Sequence, residues 1–280
     1  MTGQPNIAAL SSSDWHANLQ LQFAARAGRT FLASRQHVGP LLVQRPFYPE
    51  GNVCHVYLIH PPGGVAGGDQ LYLQASVEPH AHALITTPAA TKFYRAAAGR
   101  QARVQQQLTL THARLEWLPQ EAIYFDQAAV RTHTRVDVDA NSQFIGWELS
   151  CYGRRASHET FTSGYVWQSL ELWRDGQPVV LDHLHVQGGS DMQAAAWGLN
   201  GRCALGTLLA YPATAADVIA VRNCDDAATQ LSCTLVDDVL ICRCLCMDGA
   251  LLKQQLLKVW QCLRPHIMQR EAVLPRIWAT

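Results

Sequence analysis

The chain has 280 residues, with 22 lysines and arginines against 22 aspartates and glutamates, so its formal charge at neutral pH is zero. That balance gives no bulk attraction to nucleic acid or to an anionic membrane. Charged residues make up 16% of the chain, below the ~25% of an average soluble domain, which suits a body partly covered by other proteins.

Residues 1–14 read as a polar leader without the basic start and apolar core of a secretory signal. No run approaches the ~18 apolar residues of a membrane span, so a cytoplasmic location off the membrane is expected. The nine cysteines show no Cys-x-x-Cys spacing, and free thiols in a reducing compartment are the economical reading. From Trp15 the pattern has period two. Leu19, Leu21 and Phe23 alternate with Gln20 and Gln22, and the same alternation returns at Val104–Leu110, Val136–Asp139 and Leu170–Leu172. Short helices are expected over Thr91–Ala98, after Pro88, and over Ala213–Val221. The clearest helix spans Ala250–Arg264, with Leu252, Leu256, Val259 and Leu263 on one face and Pro265 as its stop. The expected fold is mainly β: layered antiparallel sheets in one domain, residues 15–280, with a few helices, the clearest near the C-terminus.

The run from His60 to Leu71 packs Gly63-Gly64 and Gly67-Gly68 around Val65-Ala66 and closes on Asp69. Glycine serves where backbone turns at positive φ or meets other backbone closely, so this loop has a demanding path. No Gly-Lys-Ser/Thr follows, which argues against a phosphate cradle. Carboxylates at Asp69, Glu121, Asp126, Glu148 and Glu159 stand in apolar settings, where each needs a partner or water. The histidine pairs His80-x-His82 and His183-x-His185 have the spacing that shares a strand face. Cys242, Cys244 and Cys246 also share a face; core packing accounts for them better than soft-metal binding. No Gly-x-Ser-x-Gly elbow is present, and the offset of Glu116 from Glu121 fixes no mutual distance for acid–base work.

Three segments occur in order: His60–Leu71, Thr86-Thr87-Pro88-Ala89-Ala90-Thr91-Lys92-Phe93-Tyr94-Arg95, and Leu115–Phe125. With the tail elements Leu263-Arg264-Pro265 and Pro275–Thr280, they closely resemble the UreD/UreH family of urease accessory proteins, from about Leu19 to Thr280. The resemblance implies a mainly β architecture and a non-enzymatic scaffold and nickel-delivery chaperone for the urease metallocentre. It also implies partners: a UreF-type accessory protein, a UreG-type GTPase and apo-urease. On that reading no cofactor is tightly bound, and nickel(II) passes transiently along Asp69, Glu121, Asp126 and Glu159. Where the family usually carries glycine before its acidic residue, this chain has His158 beside Glu159, which puts the local turn in question and adds an imidazole. Two other readings stand beside this one: a β-sheet carbohydrate-active hydrolase using two of the carboxylates, and an assembly scaffold that never touches nickel.

Overall fold

A computed structural model describes residues 14–97 and 99–279. Of the expected leader only Asp14 falls within them, ion-paired to Arg100; the rest lies outside the described residues.

The chain starts with a hairpin, β1 (His16–Arg26) and β2 (Arg29–Val38), and passes through β3 (Leu42–Val43) into β4 (Cys54–Ile59). It then winds between two sheets. β5 (Gln70–Val77) leads to β6 (His82–Thr86) and β7 (Thr91–Phe93); β8 (Ala102–Leu110) leads to β9 (Arg114–Leu118) and β10 (Ala122–Tyr124). β11 (Ala129–Val138) leads to β12 (Gln143–Arg154) and β13 (Glu159–Thr160), and a second hairpin follows, β14 (Tyr165–Arg174) and β15 (Gln177–Gln187). The last part holds α1 (Asp191–Ala194), β16 (Ala204–Tyr211), α2 (Ala215–Arg222), β17 (Gln230–Val236), β18 (Val239–Cys246) and α3 (Gly249–Ile267).

The first sheet runs β15-β14-β11-β8-β5-β1-β2 and the second β17-β18-β16-β12-β9-β6-β4-β3. The molecule is mainly β, as expected. The strand sense differs from expectation. β1, β5, β8, β11 and β14 are parallel neighbours, as are β4, β6, β9 and β12. Each coil gives one strand to each sheet, so successive strands in one sheet enter from the same end. Among the described residues antiparallel pairing is found in the hairpins, the β3–β4 and β12–β13 pairs, the Phe47–His55 bridge and the later strands β16 to β18.

Alternation decides the faces. In β1, Leu19, Leu21 and Phe23 point into the gap between the sheets while Gln20 and Gln22 face solvent. β12 is buried on both sides, because α3 covers the back of the second sheet; Ile145, Trp147 and Leu149 pack there against Leu252, Leu256 and Val259. The cysteines Cys242, Cys244 and Cys246 lie in this same layer, fully buried. α3 begins at Asp248, whose carboxylate accepts the Leu251 N–H at 2.8 Å. It does not stop at Pro265 but continues to Ile267. The proline forfeits only one backbone bond in the last turn, and buried Leu263, Arg264 and Ile267 hold that turn in place. The expected helix at Thr91–Ala98 is absent over its described residues. Thr91–Phe93 instead pairs in parallel with β10, and the Phe93 ring stacks on Tyr124 at 5.0 Å; Ala98 lies outside the described residues.

Candidate functional site

The links from the first sheet to the second are short, and the returns are long. Those returns, 60–69, 87–101, 119–128 and 155–164, all fall at one end of the strands and stack in chain order. Val65 N–H donates to Lys92 O at 2.7 Å, Thr91 N–H to Glu121 O at 2.8 Å, and Phe125 N–H to Phe93 O at 3.0 Å. The three sequence segments are therefore successive turns of one coil. In the first, Gly68 adopts φ +103°, and a Cβ on Gly67 would lie 2.8 Å from both the Ala96 Cβ and the Arg100 carbonyl. Gly67 is thus needed for close approach and Gly68 for positive φ.

The expected site residues lie in these returns. Asp69 is buried, and its two oxygens accept the N–H groups of Trp15 (2.9 Å) and Ala66 (2.7 Å). Asp126 accepts the N–H groups of Thr162 (2.7 Å) and Ser163 (2.8 Å). Burial pushes its pKa up, but those donors outweigh the push and hold it below the ordinary aspartate value. Glu159 is held down by its bond to Arg154, 2.6 Å away, and also accepts the Asp126 N–H at 3.1 Å. Asp126 and Glu159 are thus brought together. Glu121 lies at the start of β10 close to Gly249, the first residue of α3, and its carboxylate makes no hydrogen bond among the described residues. His158 takes φ 55°, the left-handed region that favours glycine, so the turn survives the departure from the family pattern.

The two histidine pairs differ. His80 sits in a turn at φ 66°, whereas His82 is buried against Glu116 at 2.9 Å. His183 and His185 do share the outer face of the first sheet; one meets Glu171 at 3.2 Å and the other stacks on Trp167 at 4.0 Å. Glu116 and Glu121 do not form an acid–base pair, because Glu116 is committed to Arg264 and His82. Among the described residues no three His, Cys, Asp or Glu side chains converge as a metal centre.

The space between the sheets holds a cavity of about 520 Å³. Its walls are apolar (Leu41, Leu58, Leu71, Leu73, Phe93, Trp117), its mouth is set by Gly63, Gly64 and 88–92, and its floor is polar. None of Asp69, Glu121, Asp126 and Glu159 lines it. The floor carries Gln106, Glu148, Ser150 and Gln168, and Glu148, Ser150 and Gln168 also line a second void of about 20 Å³ that reaches Asp182 and Thr207. These three residues are a shared wall between the two spaces. Gln168 accepts from the Tyr152 hydroxyl at 2.6 Å and donates to Ser150 at 2.8 Å. The Thr134 hydroxyl lies 2.5 Å from both Gln106 Oε1 and Glu148 Oε1. One hydroxyl proton cannot serve two acceptors, so either Glu148 supplies a proton or the Gln106 amide is turned to donate. Burial, with the nearby Asp182 charge, pushes the Glu148 pKa up to about 7, so the group is protonated in part of the population at neutral pH. Two residues of the cavity lining carry buried polar atoms unpaired among the described residues: the Trp117 indole N–H and the ring nitrogens of His60. Burial lowers the His60 pKa below its ordinary value and keeps the ring neutral, against the pull of Asp69.

Glu148 is one of the carboxylates in apolar settings but not one of the expected site residues. The available signal was a charged residue in a strand apolar on both faces, Phe144–Leu149.

A coiled β body whose interior is an apolar chamber with a sparse floor of oxygen atoms, and whose outer carboxylates are mostly held by backbone amides and arginine, defines a class of coiled-β protein built around an internal chamber. The comparisons sharpen that class. The UreD urease accessory protein family model matches residues 16–279. The urease accessory protein UreD of Klebsiella aerogenes is 46% identical over 273 residues, covering 95% of this chain and 97% of its own. Those of Enterobacter sp. strain 638 and Escherichia coli are 41% identical over 288 residues and 38% over 279. The chain belongs to the UreD urease accessory protein family.

Proposed function

We propose that this chain is a non-enzymatic scaffold that passes nickel(II) to apo-urease, working in the cytoplasm with a UreF-type accessory protein and a UreG-type GTPase, away from nucleic acid and membrane. The observation that carries the reading is Glu148, a carboxyl with no cationic partner among the described residues, on the wall between two internal spaces. An ordinary structural carboxylate in such a place would be paired. A cation in transit needs the reverse: oxygen ligands that are few, uncrowded and weakly held. The apolar walls of the chamber offer nothing to bind, so the ion would pause at the polar floor or at the His60 ring. Asp69, Glu121, Asp126 and Glu159 stand in the coil returns and are proposed as outer contacts for the approaching ion. Glu121 is the least committed of them.

The test is Glu148→Gln, which keeps shape and removes charge. Nickel per urease active site and yield of the assembled complex are measured together in cells carrying the urease cluster. Normal complex yield with lowered nickel is expected. Normal nickel in a normal complex would leave the protein a pure assembly scaffold.

A further inference from the structure

The register of the two sheets sets up a second line of residues beyond Glu148. Across the second sheet, Glu148 is opposite Thr207, Thr207 opposite Arg243, and Arg243 opposite Ser232. Directly opposed residues point to the same face. In the first sheet, Thr134 is opposite Leu170, and Leu170 opposite Asp182. The two rows face each other. Thr134 meets Glu148 on one side, and the Arg243 guanidinium donates to Asp182 on the other. Between these contacts lies the void of about 20 Å³ lined by Glu148, Thr207 and Asp182, room for roughly one water. Asp182, which lines that void, is ion-paired to Arg243, whose side chain is 50% exposed while that of the aspartate is 15% exposed.

We infer that the Asp182–Arg243 ion pair is the releasable closure of the far end of the internal passage, Arg243 holding on Asp182 the place that a departing divalent cation takes when it leaves. This rests on the reading that a cation crosses the sandwich at Glu148. An apolar plug between β15 and β18 would seal the gap for good. A pair whose arginine is half exposed is screened by solvent and opens more readily than such a plug, and its carboxylate lines the void with Glu148 and Thr207 as a further oxygen donor. Removing the arginine charge should open the exit and leave Asp182 available to the ion.

The full chain, assembled with its accessory partners and apo-urease, is supplied with nickel(II), and nickel bound per urease site is followed in time. Arg243→Met should raise the initial rate about threefold, the population shift expected when a weak surface pair is lost, with the final nickel content unchanged. Added salt should speed the wild-type assembly by screening the pair and leave R243M unaffected. R243M loading at the wild-type rate, in a complex of normal yield, would overturn the closure. Should R243M assemble poorly, Asp182→Asn releases the same arm from the other side, and an unchanged salt response in D182N would overturn it equally. The two ideas fail separately: normal loading by E148Q sinks the passage, whereas impaired E148Q beside unaltered R243M sinks the closure alone.

Discussion

Glu116 and Glu148 are both glutamates in mid-strand beside a tryptophan, both taken out of bulk water, and they behave in opposite ways. Glu116 sits in a closed knot. Arg264 binds it at 2.9 and 3.0 Å and reaches Glu50 at 2.7 Å; Trp260 donates to it at 2.7 Å, and His82 lies at 2.9 Å. Burial alone would raise its pKa, but His82 and Arg264 overturn that effect and bring it down to about 2. Among the described residues Glu148 has one hydroxyl partner and no cation, and burial wins. The difference separates two uses of a buried charge. The Glu116 knot ties α3 to the second sheet and to the Glu50 loop, with every carboxylate answered. The Glu148 carboxyl is left with coordination to spare, facing a chamber.

Breaking the knot should have the largest effect. Arg264→Ala strands two carboxylates and should cost about 3–5 kcal/mol in urea unfolding; a loss under 1 kcal/mol would show that the knot is not what anchors α3. The next test compares pH slopes. Glu148 holds its proton more tightly folded than unfolded, so it lowers stability as pH rises from 4.5 to about 7, by about 3 kcal/mol. Glu116 does the opposite: the stability it lends is present above 4.5 and lost as pH falls toward about 2. Melting curves of wild type and E148Q should therefore converge at pH 4.5 and part near pH 7, with E148Q the more stable. Parallel curves would mean that Glu148 is solvated like a surface group. The smallest effect belongs to Thr134→Val, which removes the Glu148 donor. It should cost about 1 kcal/mol and move the Glu148 titration to still higher pH, read by carboxyl-carbon NMR.

Much of the fold was legible because period-two alternation is a local property. Leu19 to Phe23 and the Leu252 to Leu263 stripe face where their spacing says. Strand direction was not legible, since parallel and antiparallel strands alternate identically. Thr91–Phe93 is a strand and not the expected helix because its partner, Ala122–Tyr124, is distant in sequence yet adjacent in space. The ordered segments were legible as a set, and the coil explains why: each is one return, stacked on the next. Within the site, the carboxylates at motif edges were visible, but which of them is spoken for depends on Trp15, Thr162 and Arg154. Glu148 gains its meaning from Thr134 and Asp182 on the facing sheet, a relation that no spacing within β12 records.

The hairpins at the margins of the first sheet carry one more consequence. A coil of parallel strands ending bluntly would offer the next molecule a template of matching sense, and copies could add like bricks to a course. Here β2 and β15 run against their neighbours. The outermost edges therefore present the wrong polarity for continuing the coil, studded with Arg29, Arg35 and His37 on one side and with Pro178, Asp182 and His183 on the other. The winding that builds the chamber is thereby brought to a finite length inside one chain.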